Sequence, residues 1–167
     1  RGPIFFTQNR IGKNGKEFKM FKYRTMVIGA DKILEELMEK DPAIREEYTK
    51  NKKLVNDPRI TKVGNFLRKT KLDEIPQLFN ILRGTMSFIG PRPELLRYVE
   101  QYEGEEKLIL EVRPGITDFS SIEFINLDEV VGAGNADEMY EKYVLKKKNQ
   151  LRIKYAKEVS FFTDCKL

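Results

Sequence analysis

Apolar residues fall along the chain in short groups broken by turn residues, and each group predicts an element. In "PIFFTQNRIGKNGKEFKMFKYRTM" two apolar-rich arms flank Lys13-Asn14-Gly15-Lys16. Asn-Gly is a strong hairpin signal because both central turn residues take positive φ, so a β-hairpin is expected here. On its second arm Phe18, Met20 and Lys22 alternate with Lys19, Phe21 and Tyr23, so neither face is uniformly apolar, and Arg24 closes the arm. Over 27–40, Ile33, Leu34, Leu37 and Met38 recur at helical spacing with Glu35, Glu36 and Glu39 outside the stripe, which predicts an amphipathic helix. Asp41-Pro42 punctuates it. A charged helical stretch follows over 43–55 and stops before the turn signal "NDPRI".

The next groups are Val63, Phe66 and Leu67, which predict a short helix, and Ile75, Leu78, Phe79 and Leu82, which sit at i, i+3, i+4 and i+7. Pro76 falls in the first turn of that second helix, where its missing N–H costs nothing, and Gly84 follows its end. Residues 93–112 predict one or two helices interrupted near Gly104, "RPGITDFSSIEF" a turn entering an extended segment, and 137–166 a long basic helical pattern. No internal repeat or low-complexity linker breaks the chain. The expected fold is α+β: a mainly helical single domain over 1–167, with an N-terminal β-hairpin and a basic amphipathic C-terminal helix.

Composition narrows the chemistry. The chain has 167 residues, enough for one core, with 40% hydrophobic and 34% charged residues and a net charge of +5. That sign favours anionic partners such as nucleotide, nucleic-acid or lipid phosphates. The absence of histidine removes histidine bases, Ser-His-Asp and Cys-His systems and the commonest zinc ligand. Acid–base and nucleophilic work therefore falls to carboxylates. Cys165 is the single cysteine, so no internal disulfide forms and a reducing compartment is the natural reading. No apolar run reaches the roughly 18 residues of a spanning helix. The opening on an apolar strand without Met reads as a fragment of a longer protein.

The candidate site lies in "TKLDEIPQLFNILRGTMSFIGPRPE". Asp73 and Glu74 stand at the mouth of the predicted helix, where unpaired N–H groups and the helix dipole favour negative charge. Adjacent ionised carboxylates can divide labour, one attacking phosphorus and the other helping to hold Mg²⁺ through oxygen. They are equally the residues that ordinarily cap a helix. Arg68 lies shortly before them, and Arg92 is held between two prolines whose φ is fixed. Guanidinium groups suit phosphate. Lys22 and Arg24 are further cations, or simply solvated positions of an edge strand.

Together, "GPIFFTQNRIGKNGKEFKMFKYRTM", "LRKTKLDEIPQLFNILRGTMSFIGPRPE" and "RPGIT", in this order, closely resemble the bacterial sugar transferase family of monotopic polyprenyl-phosphate phosphoglycosyl transferases. The likeness runs from Gly2 to about Thr117, with a looser match in the C-terminal stretch. The resemblance implies transfer of a sugar-1-phosphate from a UDP-sugar to polyprenyl (undecaprenyl) phosphate at the cytoplasmic face of the bacterial inner membrane, with release of UMP. This would initiate glycan assembly. It further implies Asp73 as nucleophile in a covalent aspartyl-phosphate-sugar intermediate, and Glu74, with Asp73, as ligand to the Mg²⁺ cofactor. Arg24, Arg68, Arg92 and Lys22 would bind substrate phosphates.

The chain departs from the commoner family pattern at "PGITDFSSIEFIN", where Asp118-Phe119 replace Gly-Trp and the terminal Asn-Gly-Arg is absent. This marks a subfamily, with Asp118 either a substrate contact or a turn residue. Family members also carry an apolar membrane-inserted segment upstream of the "GP"; without it the fragment by itself is expected to be soluble. Lys146, Lys147, Lys148, Arg152, Lys154 and Lys157, interleaved with Leu145, Leu151, Ile153, Val159, Phe161 and Phe162, form a pattern that can lie on an anionic bilayer or pack on the core. The competing reading is a non-catalytic basic module binding nucleic acid or anionic membrane. No recognised nucleic-acid motif is present, so nucleic acid is not the expected partner.

Overall fold

The computed structural model describes residues 2–51, 53–124 and 144–167. The hairpin pairs β1 (Phe5–Ile11) with β2 (Glu17–Tyr23) in antiparallel register, Phe5 opposite Tyr23 and Ile11 opposite Glu17. Its turn is where the Asn-Gly signal put it: Asn14 and Gly15 take φ of 59° and 71°. They sit inside a one-turn 3-10 helix closed by Gly12 N–H donating to the Lys16 carbonyl at 2.8 Å, a loop longer than the two-residue turn.

Helix α1 (Ala30–Lys40) buries Leu34 and begins three residues later than periodicity suggests, because Gly29 at φ 71° turns the chain into it. The Asp41 carboxylate accepts from Ala43 N–H at 2.8 Å at the start of α2 (Pro42–Asn51). Helix α3 (Lys62–Lys69) is capped by Thr61, whose Oγ1 accepts from Gly64 N–H. Asp57 and Arg59 form an enclosed ion pair at 2.6 Å beside it, and Arg59 also lies 5.7 Å from the Tyr48 ring of α2.

A one-turn 3-10 helix, Leu72–Glu74, leads into α4 (Gln77–Leu82). The apolar stripe is where periodicity puts it, but the helix is turned polar side in. Ile75, Leu78, Phe79 and Leu82 are 45%, 42%, 50% and 83% exposed, while Gln77 and Asn80 are 0% and 2% exposed. Asn80 is the reason. Its Oδ1 accepts from Phe21 N–H at 3.0 Å and its Nδ2 donates to the Lys19 carbonyl at 2.8 Å and to Thr85 Oγ1 at 3.2 Å. The side-chain amide thereby satisfies backbone groups on the open edge of β2, as a third strand would. The outward stripe is continuous with the hairpin, since the Phe79 ring meets Phe5 edge-on at 6.2 Å.

A second, parallel pair that the apolar pattern did not reveal joins β3 (Ser87–Ile89) to β4 (Gly115–Thr117). Between them lie α5 (Leu96–Val99) and a 3-10 helix, Gly104–Glu111, with Gly104 at φ 52° making the expected break. Short α6 (Phe119–Glu123) follows, then α7 (Lys146–Glu158) and α8 (Phe161–Lys166). The basic C-terminal pattern is helical, but Ser160 caps a new helix and divides it, and the stretch 137–143 lies outside the described residues. The basic helix packs on the core, but through Asn149, Arg152 and Tyr155, while Leu151 and Ile153 of the interleaved apolar set stay half-buried. The core collects Ile11, Met20, Met86, Tyr98, Ile109 and Tyr155. Among the described residues no helix is long and apolar enough to cross a membrane.

Replacing Asn80 by Leu keeps the volume but orphans Phe21 N–H and the Lys19 carbonyl. The variant is expected to lose about 3 kcal/mol of stability, read as a lowered urea midpoint, because each buried unsatisfied group costs about 1–3 kcal/mol.

Candidate active site

The hairpin's end, the start of α1, the end of α3 and the 3-10 turn before α4 enclose a cleft of about 680 Å³. Lys22, Arg24, Arg68, Asp73 and Glu74 all line it. Five of the predicted site residues, from three separate stretches of sequence, therefore share one wall system.

Thr25 is the pivot of this convergence. Its buried backbone carbonyl accepts from Thr61 N–H at 3.0 Å, and its Oγ1 accepts from Arg68 Nε at 2.8 Å. Helix α3 can approach this closely only because position 64 is glycine. A Cβ there would stand 1.9 Å from the Thr25 carbonyl oxygen. The approach brings Arg68 to the cleft wall, held there by Thr25.

Asp73 and Glu74 sit on the 3-10 turn and not, as periodicity suggested, in the first turn of α4. The chain enters that turn through Lys71, a non-glycine residue at φ 59° whose side chain also lines the cleft. Such a conformation is uncommon and tends to mark functional sites. No feature of the sequence signalled it.

The two carboxylates have unlike surroundings. Glu74 Oε1 pairs with Lys22 Nζ at 2.9 Å and with an Arg92 guanidinium nitrogen. Burial pushes the Glu74 carboxyl up, but the Arg92 guanidinium and the Lys22 ammonium outweigh it and hold the pKa down to about 2 from the usual 4.5. Glu74 is thus a fixed anion at neutral pH. Asp73 lines the cleft partly exposed and makes no side-chain hydrogen bond or ion pair among the described residues.

Arg92 is not on the cleft wall and reaches the dyad through Glu74. Its other nitrogen donates to the Ile116 carbonyl at 3.1 Å, which joins Gly-Pro-Arg-Pro to Pro-Gly-Ile-Thr. The two motifs cross with Gly90 N–H donating to the Thr117 carbonyl at 2.9 Å and Gly115 N–H to the Pro91 carbonyl at 3.0 Å. A Cβ on Gly115 would lie 2.2 Å from Gly90 N.

Asp118 is 0% exposed. It caps α6 by accepting from Ser121 N–H at 2.7 Å, and its oxygens accept from the Ser120 and Ser121 hydroxyls. Asp118 thus caps a helix and is not among the residues that line the cleft.

The cleft carries what the motifs announced, and comparison with known proteins decides the family: a family model described as bacterial sugar transferase matches residues 1–167. The chain belongs to that family. Within it, the chain is 47% identical over 116 residues to an undecaprenyl-phosphate galactose phosphotransferase of Salmonella typhimurium, covering 70% of this chain and 24% of that one. It is 47% identical over 116 residues to the exopolysaccharide production protein ExoY of Sinorhizobium fredii, covering 70% and 51%. It is 37% identical over 170 residues to a UDP-glucose:undecaprenyl-phosphate glucose-1-phosphate transferase of Escherichia coli, covering 99% and 31%. The chain thus spans a quarter to a half of the length of these relatives.

Because the Glu74 carboxyl is depressed in the folded chain, its ionic contribution is fully present above the unfolded value of 4.5 and is lost as pH falls towards about 2. The stability gap between wild type and Glu74→Gln, from urea midpoints at fixed pH, is expected to be constant at neutral pH. It should narrow between pH 4.5 and 2; a gap that stays constant down to pH 2 would show that the pairs do not hold the carboxylate.

Proposed function

We propose that this chain carries the catalytic centre of a phosphoglycosyl transferase that moves a sugar-1-phosphate from a UDP-sugar to polyprenyl (undecaprenyl) phosphate, releasing UMP and initiating assembly of a polysaccharide or glycoconjugate. The observation that carries this reading is the inequality of the dyad. Glu74 is neutralised by two cations, and Asp73 faces the cleft without such a partner while Lys22, Arg24 and Arg68 line the same space.

In the first displacement an Asp73 carboxylate oxygen attacks the sugar-bearing phosphorus. The new O–P bond forms as the bond to the bridging oxygen breaks, and UMP leaves with that electron pair. In the second, an oxygen of the lipid phosphate attacks the same phosphorus and Asp73 departs as a free carboxylate. Nucleotide and lipid then use the site in turn. Arg24, Arg68 and Lys22 hold phosphate oxygens and offset charge in the transition state. Arg92 fixes Glu74.

Magnesium fits this donor set. It characteristically takes one or two carboxylates and completes its shell with substrate phosphates and water. Asp73 and Glu74 would hold it, and Glu74 meets Lys22 and Arg92 through Oε1, so Oε2 faces no competing cation in those contacts. When bound, Mg²⁺ supplies charge neutralisation at the phosphates.

A membrane-surface location is supported by the exposed apolar positions that run from Ile75, beside Glu74, along α4 to Phe79 and on to Phe5; the reading places it at the cytoplasmic face of the inner membrane. That stripe suits a lipid substrate delivered from a bilayer.

The test uses the full-length protein in detergent with polyprenyl phosphate and a panel of UDP-sugars. UMP release is expected with one or a few sugars, dependent on Mg²⁺, and reduced at least about a thousandfold by Asp73→Asn, the scale on which loss of a nucleophile falls. Release unaffected by Asp73→Asn, or none with any sugar, would overturn the reading.

A further inference from the structure

Arg152 lies on α7, far from the dyad in sequence, and is 2% exposed. Its Nη2 donates to Glu94 Oε1 at 2.8 Å, its Nη1 to Asn149 Oδ1 at 3.3 Å, and its Nε stands 3.9 Å from Asp118 Oδ2. One buried cation therefore hydrogen-bonds Glu94 and stands within ion-pair range of Asp118, its Nε making no hydrogen bond among the described residues.

The positions of those carboxylates matter. Glu94 is two residues beyond Arg92, and Asp118 is two residues beyond Ile116, whose carbonyl accepts from Arg92. Arg152 thus links the loop that carries Arg92 to the segment whose Ile116 carbonyl Arg92 meets. A buried ion network of this kind adds little stability over an apolar replacement, and its better-attested value is in fixing one geometry. The planar guanidinium, with five donors in a rigid fork, can satisfy several acceptors at set angles; a lysine offers one point charge.

We infer that Arg152 is a positioning residue for the transfer reaction: by clamping Glu94 to Asp118 it sets the direction of Arg92, and through Arg92 the placement of Glu74. The inference rests on the transferase reading above. It also gives the Asp118 departure from the family's commoner glycine a role, as one jaw of this clamp.

The experiment uses the full-length protein with two variants, Arg152→Lys, which keeps the buried charge, and Glu94→Gln, which keeps Arg152 and an acceptor. Each is made in the wild-type and in the Arg92→Lys background, with melting temperature recorded for all. In the wild-type background kcat for UMP release should fall about 10- to 100-fold, the cost of a small misplacement at a site held by remote groups. KM for the nucleotide sugar should move less than about twofold. In the Arg92→Lys background the same substitutions should change kcat by less than about twofold, because the group they position is gone. Losses of equal size in both backgrounds would overturn the inference and leave Arg152 a packing residue.

A readout independent of turnover is the guanidinium resonance of Arg92 in arginine-labelled protein, identified by its loss in Arg92→Lys. Arg152→Lys should collapse its distinct hydrogen-bonded signals into an exchange-averaged one; an unchanged resonance would refute the clamp. If the wild type releases no UMP, the transferase reading fails while this resonance still decides whether Arg152 positions Arg92.

Discussion

A carboxylate taken out of water has to be met by cations, and the Glu74 side chain is met by two, Lys22 from the hairpin and Arg92 from the Gly-Pro-Arg-Pro loop. That requirement organises the molecule. The hairpin has to lie against the 3-10 turn, and Asn80 fastens it there by completing the edge of β2. The loop has to reach the same point from the other direction, and the crossing of Gly90 with Gly115 brings it there. Once Glu74 is neutralised in this way, the neighbouring Asp73 is left facing a cleft lined with further cations.

The division between the two acids follows from geometry more than from residue type. Both line the cleft, but Glu74 is paired there with Lys22 and Arg92 while Asp73 has no such partner among the described residues. Under the proposed reaction this arrangement keeps the protein's own positive charge from quenching the nucleophile while still supplying cations where phosphate oxygens would lie. The outward apolar face of α4 then has a rationale: the helix that follows the dyad turns Asn80 to the hairpin and presents its apolar residues away from the core.

Much of this was legible in the sequence, for particular reasons. The hairpin followed from Asn14-Gly15, whose turn chemistry is local. The helices at Leu34 and at Gln77–Leu82 followed from periodicity. The site residues Lys22, Arg24, Arg68, Asp73 and Glu74 were identified from motif resemblance reinforced by charge, and the fold brings them into one cleft. Periodicity could not tell which side of α4 faces inward, because that depends on Asn80 finding an edge strand about sixty positions away. Nor could it show the parallel β3–β4 pair, whose strands are three residues each, too short to establish alternation. In sequence Asp118 reads as a substrate contact or a turn residue and Arg152 as one more cation of a basic helix, since only the folded chain places them 3.9 Å apart.

The central claim is that Asp73, the acid without a cation of its own, forms the bond to phosphorus while Glu74 does not. The most direct measurement is to mix the full-length protein with its UDP-sugar and Mg²⁺ in the absence of polyprenyl phosphate, quench, and map the modified peptide by mass spectrometry. The account predicts a sugar-phosphate adduct on Asp73, labile to hydroxylamine as an acyl phosphate is, absent from Asp73→Asn and discharged when lipid phosphate is added. An adduct on Glu74, or full UMP release with lipid and no adduct without it, would contradict the account.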